Sequence, residues 1–191
     1  NIQISGTTAN IDISGITSGA PSSAFNITYN ARKASATPLK KTEKTIYVKL
    51  DTANNAATNA GPWSLGVPDV QSIEAVYISN TSVYANSTGS SFTDSKDNFM
   101  LEDGQKIQHY GLSNLSLKPG NSVTSNYKML VKCKVFQSDS PSGGVGFYTV
   151  SSYKQSDGTT ALDPSDIPLF VDQDRGRSYD LRNVIDGRPQ V

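Results

Sequence analysis

The residues best equipped to do chemistry crowd into one short stretch, Ser178–Pro189, where Tyr179, Asp180, Arg182, Asp186 and Arg188 set a phenol, two carboxylates and two guanidinium groups side by side. An arginine fork matches the two oxygens of a carboxylate or a phosphate. A lattice of this kind therefore serves catalysis, phosphate binding or internal pairing. No histidine, cysteine, Gly-rich loop or second acid cluster adjoins it in the sequence, and paired charges at the ends of elements are usually fixtures. These five residues are accordingly candidates for a structural or interface role. Arg182 and Asp186 lie four apart and can pair across one helical turn, although acid after base is the weaker orientation; Asp180 and Arg188 can reach backbone groups of neighbouring strands.

The remaining reactive residues are scattered. His109 is the only histidine, which argues against a zinc site of the usual kind. Asp94, Asp97, Glu102 and Asp103 form an acidic group able to offer oxygens to Ca²⁺, but their spacing does not match the EF-hand loop. Cys133 stands alone, which excludes an internal disulfide and reads as a small core residue. No serine has a nucleophile-elbow context. Trp63 and the tyrosines suit stacking on sugars, or filling a core or an interface. We expect no catalytic, cofactor-binding or metal-binding residue, and no cofactor.

Positioning these groups falls to a chain that reads as β almost throughout. Leu181, Val184 and Ile185 at i, i+3 and i+4 predict one short closing helix, with Ser178 or Asp180 as N-cap and Gly187 before Pro189 as its stop. Elsewhere apolar and polar residues alternate. Ile2, Ile4, Ile11, Ile13 and Ile16 suggest two short strands, with soft turns at Gly6 and Gly15. Phe25, Ile27 and Tyr29 mark a third, and Ile46, Val48 and Leu50 another. Ser72–Ser79 is apolar on both faces and predicts a central strand. Asp103-Gly104 predicts a tight hairpin turn between the arms of Phe99–Tyr110. In Tyr127–Phe136, Met129, Val131, Cys133 and Val135 share one face, with Lys128, Lys132 and Lys134 on the other. Val145–Tyr153 predicts a further strand. Polar loops are expected at residues 31–44 and 80–98. The fold class expected is all-β, antiparallel β-sandwich modules with a short C-terminal helical turn. Residues 1–50 read as part of an N-terminal β domain, 51–62 as a linker, and 63–191 as a sandwich closed by the Tyr179–Pro189 segment.

Lysine plus arginine balance aspartate plus glutamate at 17 each. With no basic excess, nucleic acid is not an expected partner. No apolar run is long enough to cross a bilayer as a helix, so no membrane partner is expected. Sequons at Asn26, Asn80, Asn86 and Asn114 carry little weight in a chain this rich in Asn, Ser and Thr. The ends, Asn1 and Val191, suggest a portion of a longer polypeptide.

A series of short motifs runs in order along the last two thirds of the chain: Leu65-Gly-Val-Pro-Asp69 before Val76-Tyr77, Phe99-Met-Leu-Glu-Asp-Gly-Gln105 with Tyr110, and Leu117-Lys-Pro-Gly120. Val135-Phe136, Val150-Ser-Ser-Tyr153, Ile167-Pro168, Tyr179-Asp-Leu-Arg182, Ile185-Asp186 and Arg188-Pro189 complete it. In this order the motifs resemble a family of virion structural proteins of tailed bacteriophages, tail-fibre or baseplate components of contractile-tail phages. Gly187 departs from the family pattern, which usually carries an aromatic there. The resemblance implies a non-enzymatic β module of an extracellular virion tail, a homo-oligomer partnered by other tail or baseplate proteins. Two other classes stay open: a receptor- or glycan-binding adhesin using the 31–44 and 80–98 loops, and a depolymerase, which would need paired acids across a groove.

Overall fold

Strict alternation in the 128–138 segment gives it a core face: Met129, Val131 and Cys133 are wholly buried on one side, as a pleated strand with a period of two requires. The computed structural model describes residues 2–5, 8–11, 37–52, 61–79, 84, 92–123, 128–139, 146–172 and 175–190. It divides into two compact units, 1–34 and 35–191. In the first, β1 (Ile2–Ser5) and β2 (Thr8–Ile11) form an antiparallel pair, Ile2 opposite Ile11.

The second unit is built on two sheets. One has four strands in the order β11 (Tyr153–Lys154), β4 (Lys41–Asp51), β9 (Lys128–Ser138) and β6 (Val70–Ser79). β4 and β9 run antiparallel in register along their whole length, Lys41 opposite Ser138 and Asp51 opposite Lys128. The other sheet orders β5 (Trp63–Pro68), β8 (Leu112–Leu117) and β7 (Phe99–Glu102), all antiparallel. Side chains from both sheets share one core, among them Trp63, Leu65, Phe99, Leu115, Val76, Met129 and Val131. That is a β-sandwich. The expectation of an all-β fold holds. Small pairs complete the unit: β3 (Thr37–Pro38) with β10 (Gly146–Phe147) in parallel, and β12 (Phe170–Asp172) with β13 (Arg177–Tyr179) antiparallel. The helical elements described are single 3₁₀ turns at 96–98, 150–152 and 164–166. No described helix is long and apolar enough to cross a membrane.

Four expectations are corrected. The division between units falls at residues 34 and 35, not at 51–62, because β4 pairs with a strand far along the chain and belongs to the sandwich. β6 lies at a sheet edge and β9 in the interior; Ala75 and Val76, opposite Lys132 and Val131, are buried on successive positions of β6, and apolar cover on both faces mimics a central strand. Asp103-Gly104 opens a longer β7–β8 connection, stapled by Gly111 N–H donating to Gly104 O at 2.9 Å. Ser178–Pro189 contains no helix. Asp180 and Asp186 accept the backbone N–H groups of Arg182 and Arg188, each at 3.0 Å, a local bonding pattern that competes with helix. Val184 and Ile185 stand 47% and 70% exposed, so no apolar face is there to be buried. The predicted strand Phe25–Tyr29 lies outside the described residues.

A candidate functional site: a buried ionic cluster

One end of the outer face of the four-stranded sheet carries an apolar cover. There Phe136 packs with Leu162, Ile167, Val150 and Tyr153, its ring edge-on to Tyr153 at 4.9 Å. Lys41 begins β4 beneath this cover and is completely buried, whereas Tyr47 on the same face is 44% exposed. Lys41 Nζ lies 2.6 Å from Asp69 Oδ2. Asp69 occupies the corner between β5 and β6 with φ of 57°, a left-handed conformation that aspartate tolerates better than most side chains. Its backbone C=O accepts the Phe136 N–H at 3.0 Å.

Three phenol rings close over the ammonium, their centroids 3.7 Å (Tyr110), 4.3 Å (Tyr148) and 5.3 Å (Tyr153) from Nζ. The ring quadrupole attracts the cation. Burial nevertheless pushes the Lys41 pKa down against the opposing pull of Asp69. Burial likewise raises the phenol pKa values of Tyr110, Tyr148 and Tyr153.

The C-terminal segment completes the cluster. Arg188 forks onto Asp186 through Nε and a terminal nitrogen, at 3.0 and 2.9 Å. It also donates to Lys106 O at 2.9 Å, to Gln105 Oε1 at 3.3 Å and to the Tyr110 hydroxyl at 2.9 Å. The guanidinium sits between the rings of Tyr110 and Phe170, 4.3 and 4.7 Å from their centroids. Tyr110 in turn donates its hydroxyl hydrogen to Asp186. Burial works against the Asp186 carboxylate, but the hydrogen bonds from Arg188 and Tyr110 prevail and hold its pKa below the usual value. Gln105 joins the two halves, its Nε2 donating to Asp69 Oδ1 at 3.3 Å. Backbone pairing of Tyr148 with Asp186 and of Tyr110 with Pro189 seats the segment.

Of the five residues singled out in the sequence, Asp186 and Arg188 belong to this cluster. Asp180 and Arg182 form a separate exposed pair at 2.6 Å, with Arg182 also donating to Pro164 O at 3.2 Å. Tyr179 stacks on Phe170 at 6.1 Å while 40% exposed. The Arg182–Asp186 pair expected of a helix does not form, because each arginine turns back to the aspartate two residues before it. Lys41, Asp69, Gln105 and the three tyrosines were not foreseen. Their one signal is that Asp69, Gln105, Tyr110, Phe136, Tyr153, Asp186 and Arg188 all come from the ordered motifs. The acids proposed for Ca²⁺ are drawn apart: Asp94 accepts from Val76 N–H at 2.9 Å, Glu102 from Ser116 at 2.9 Å and Asp103 from Gln105 N–H at 3.0 Å. His109 is half-buried and outside the cluster.

Asp69, Gln105, Tyr148, Tyr153, Asp186 and Arg188 border a cavity of about 30 Å³, room for one or two water molecules. Chemically the arrangement is a charge-matched knot that ties the C-terminal segment to both sheets. Compared with protein-family models, curated proteins and solved structures, the chain gives no significant match.

Proposed function

We propose that this chain is a structural module of a bacteriophage virion tail, a baseplate or tail-fibre component that acts by assembling with other proteins. The observation that carries this reading is an exposed apolar surface around an anchored tail. Ile107, Leu169, Val171, Tyr179, Val184 and Ile185 are all between 39% and 70% exposed. Ile107, Tyr179 and Leu181 border one shallow depression with Arg188, and Leu169 and Val171 border another. Exposed apolar groups gathered in this way mark surfaces that neighbours cover. The Arg188 knot beneath holds that surface in one shape, as an interface between subunits needs. The motif order that resembles the phage family converges on the same knot, which ties the likeness to a single physical feature.

An antibody raised against residues 35–191 tests the proposal on purified phage particles from a host carrying this sequence. Tail decoration in electron micrographs is expected. Absence of the chain from the particles by peptide mass spectrometry would overturn the proposal, and binding of the isolated chain to a glycan array would favour an adhesin.

A further inference from the structure

Lys41 and Asp69 are positioned to react with each other. Their side chains are 0% and 4% exposed, and the amine nitrogen rests 2.6 Å from a carboxyl oxygen. We propose that these two side chains condense into an intramolecular isopeptide bond, which fastens the first residue of β4 to the corner between β5 and β6.

The reaction needs an unprotonated amine and a neutral carboxyl group, and one proton passing along the existing hydrogen bond from Nζ to Oδ2 supplies both. Nζ then attacks Cγ of Asp69. A second nitrogen proton moves to the departing oxygen, the Cγ–O bond breaks, and an amide and one water remain. Nothing is oxidised or reduced and no co-reactant is consumed.

The surroundings favour each step. Burying an ion pair strips both charges of water before their attraction offsets it, and the amide carries no charge. Burial lowers the Lys41 pKa even though Asp69 and Asp186 favour the ammonium form. Gln105 Nε2, 3.3 Å from Asp69 Oδ1, donates to the oxygen that becomes negative when the carbon turns tetrahedral. The three rings over Nζ exclude the bulk water that would reverse the reaction. The cavity of about 30 Å³ that Asp69 borders accommodates the water released.

Intact-mass spectrometry of the folded full chain reads the outcome directly. The expected mass is one water, about 18 Da, below that of the sequence. Trypsin should yield residues 41–44 joined to residues 50–96. Lys41→Arg and Asp69→Ala should both restore the sequence mass, and Gln105→Ala should lower the cross-linked fraction at early times. A chain that is folded by circular dichroism and keeps the full sequence mass after days of incubation overturns the proposal. So does a water loss that maps to a succinimide at Asp103-Gly104, Asp157-Gly158 or Asp186-Gly187 instead.

Discussion

Arg188 and Arg182 look alike in sequence, each two residues after an aspartate, yet the structure assigns them opposite weight. Arg188→Ala removes a fork onto Asp186 and three further hydrogen bonds, along with contacts to the faces of Tyr110 and Phe170. Among the described residues, it leaves the Asp186 carboxylate, 11% exposed, with the Tyr110 hydroxyl and a backbone N–H. Stranding one member of a buried ion pair costs about 3–5 kcal/mol. Because both partners keep some contact with water, the lower end, about 3 kcal/mol, is expected. Domains are commonly stable by only about 5–15 kcal/mol, so the loss should be plain in urea unfolding followed by the fluorescence of buried Trp63. Arg188→Lys keeps the charge without the fork and should recover only part of the loss. Arg182→Ala breaks a pair whose side chains are 32% and 44% exposed and should leave the midpoint near that of the unmodified chain. Equal effects of Arg188→Ala and Arg182→Ala would refute the reasoning, since they would show that enclosure of the first pair carries no energetic weight.

Three further outcomes are expected. Gly104 has φ of 73°, and an added Cβ would stand 2.4 Å from Leu112 O and 2.5 Å from Gly111 O; Gly104→Ala should therefore cost well over about 1 kcal/mol and lower the melting temperature by more than about 4 °C in calorimetry. Burial raises the pKa values of Tyr110, Tyr148 and Tyr153, so the folded chain keeps protons that the unfolded chain releases near pH 10. Their stabilisation is complete below that pH and should fall above it by up to about 4 kcal/mol per pH unit. The check is whether tyrosinate absorbance rises together with unfolding. Cys133 is wholly buried and its thiol pKa is pushed up to about 11, so a thiol reagent should label it only as fast as the domain opens; rapid labelling of the folded chain would contradict this.

Features set by local pattern were legible in the residues alone. Met129, Val131, Cys133 and Val135 alternate strictly, and all four are buried. The closing helix failed because Leu181, Val184 and Ile185 give one turn of periodicity, too little to prevail against two aspartates that bond their own backbone. The domain boundary failed for a different reason: composition marks where a loop is, whereas the partner of Asp51 is Lys128, 77 residues further on. Lys41 was hidden most completely. Beside Lys40 in a basic stretch it reads as solvated, and it is enclosed by residues far from it in sequence, Asp69, Tyr110, Tyr148 and Tyr153. Half of the cluster's four charged groups, Asp186 and Arg188, are visible in the sequence as chemistry before they are visible as a place.

The long-range pairing of β4 with β9 also bears on how the chain is made. At about 5–20 residues per second, a ribosome needs roughly 4–15 seconds to travel the 77 residues from Asp51 to Lys128. For that interval the nascent strand waits with an open edge, able to join the same strand on a neighbouring polypeptide. Its charged residues supply the protection, since Lys41, Glu43, Lys44, Lys49 and Asp51 place charge along the unpaired strand and discourage such pairing. The charges on β4 thus guard the newborn chain before they become partners in the finished sheet.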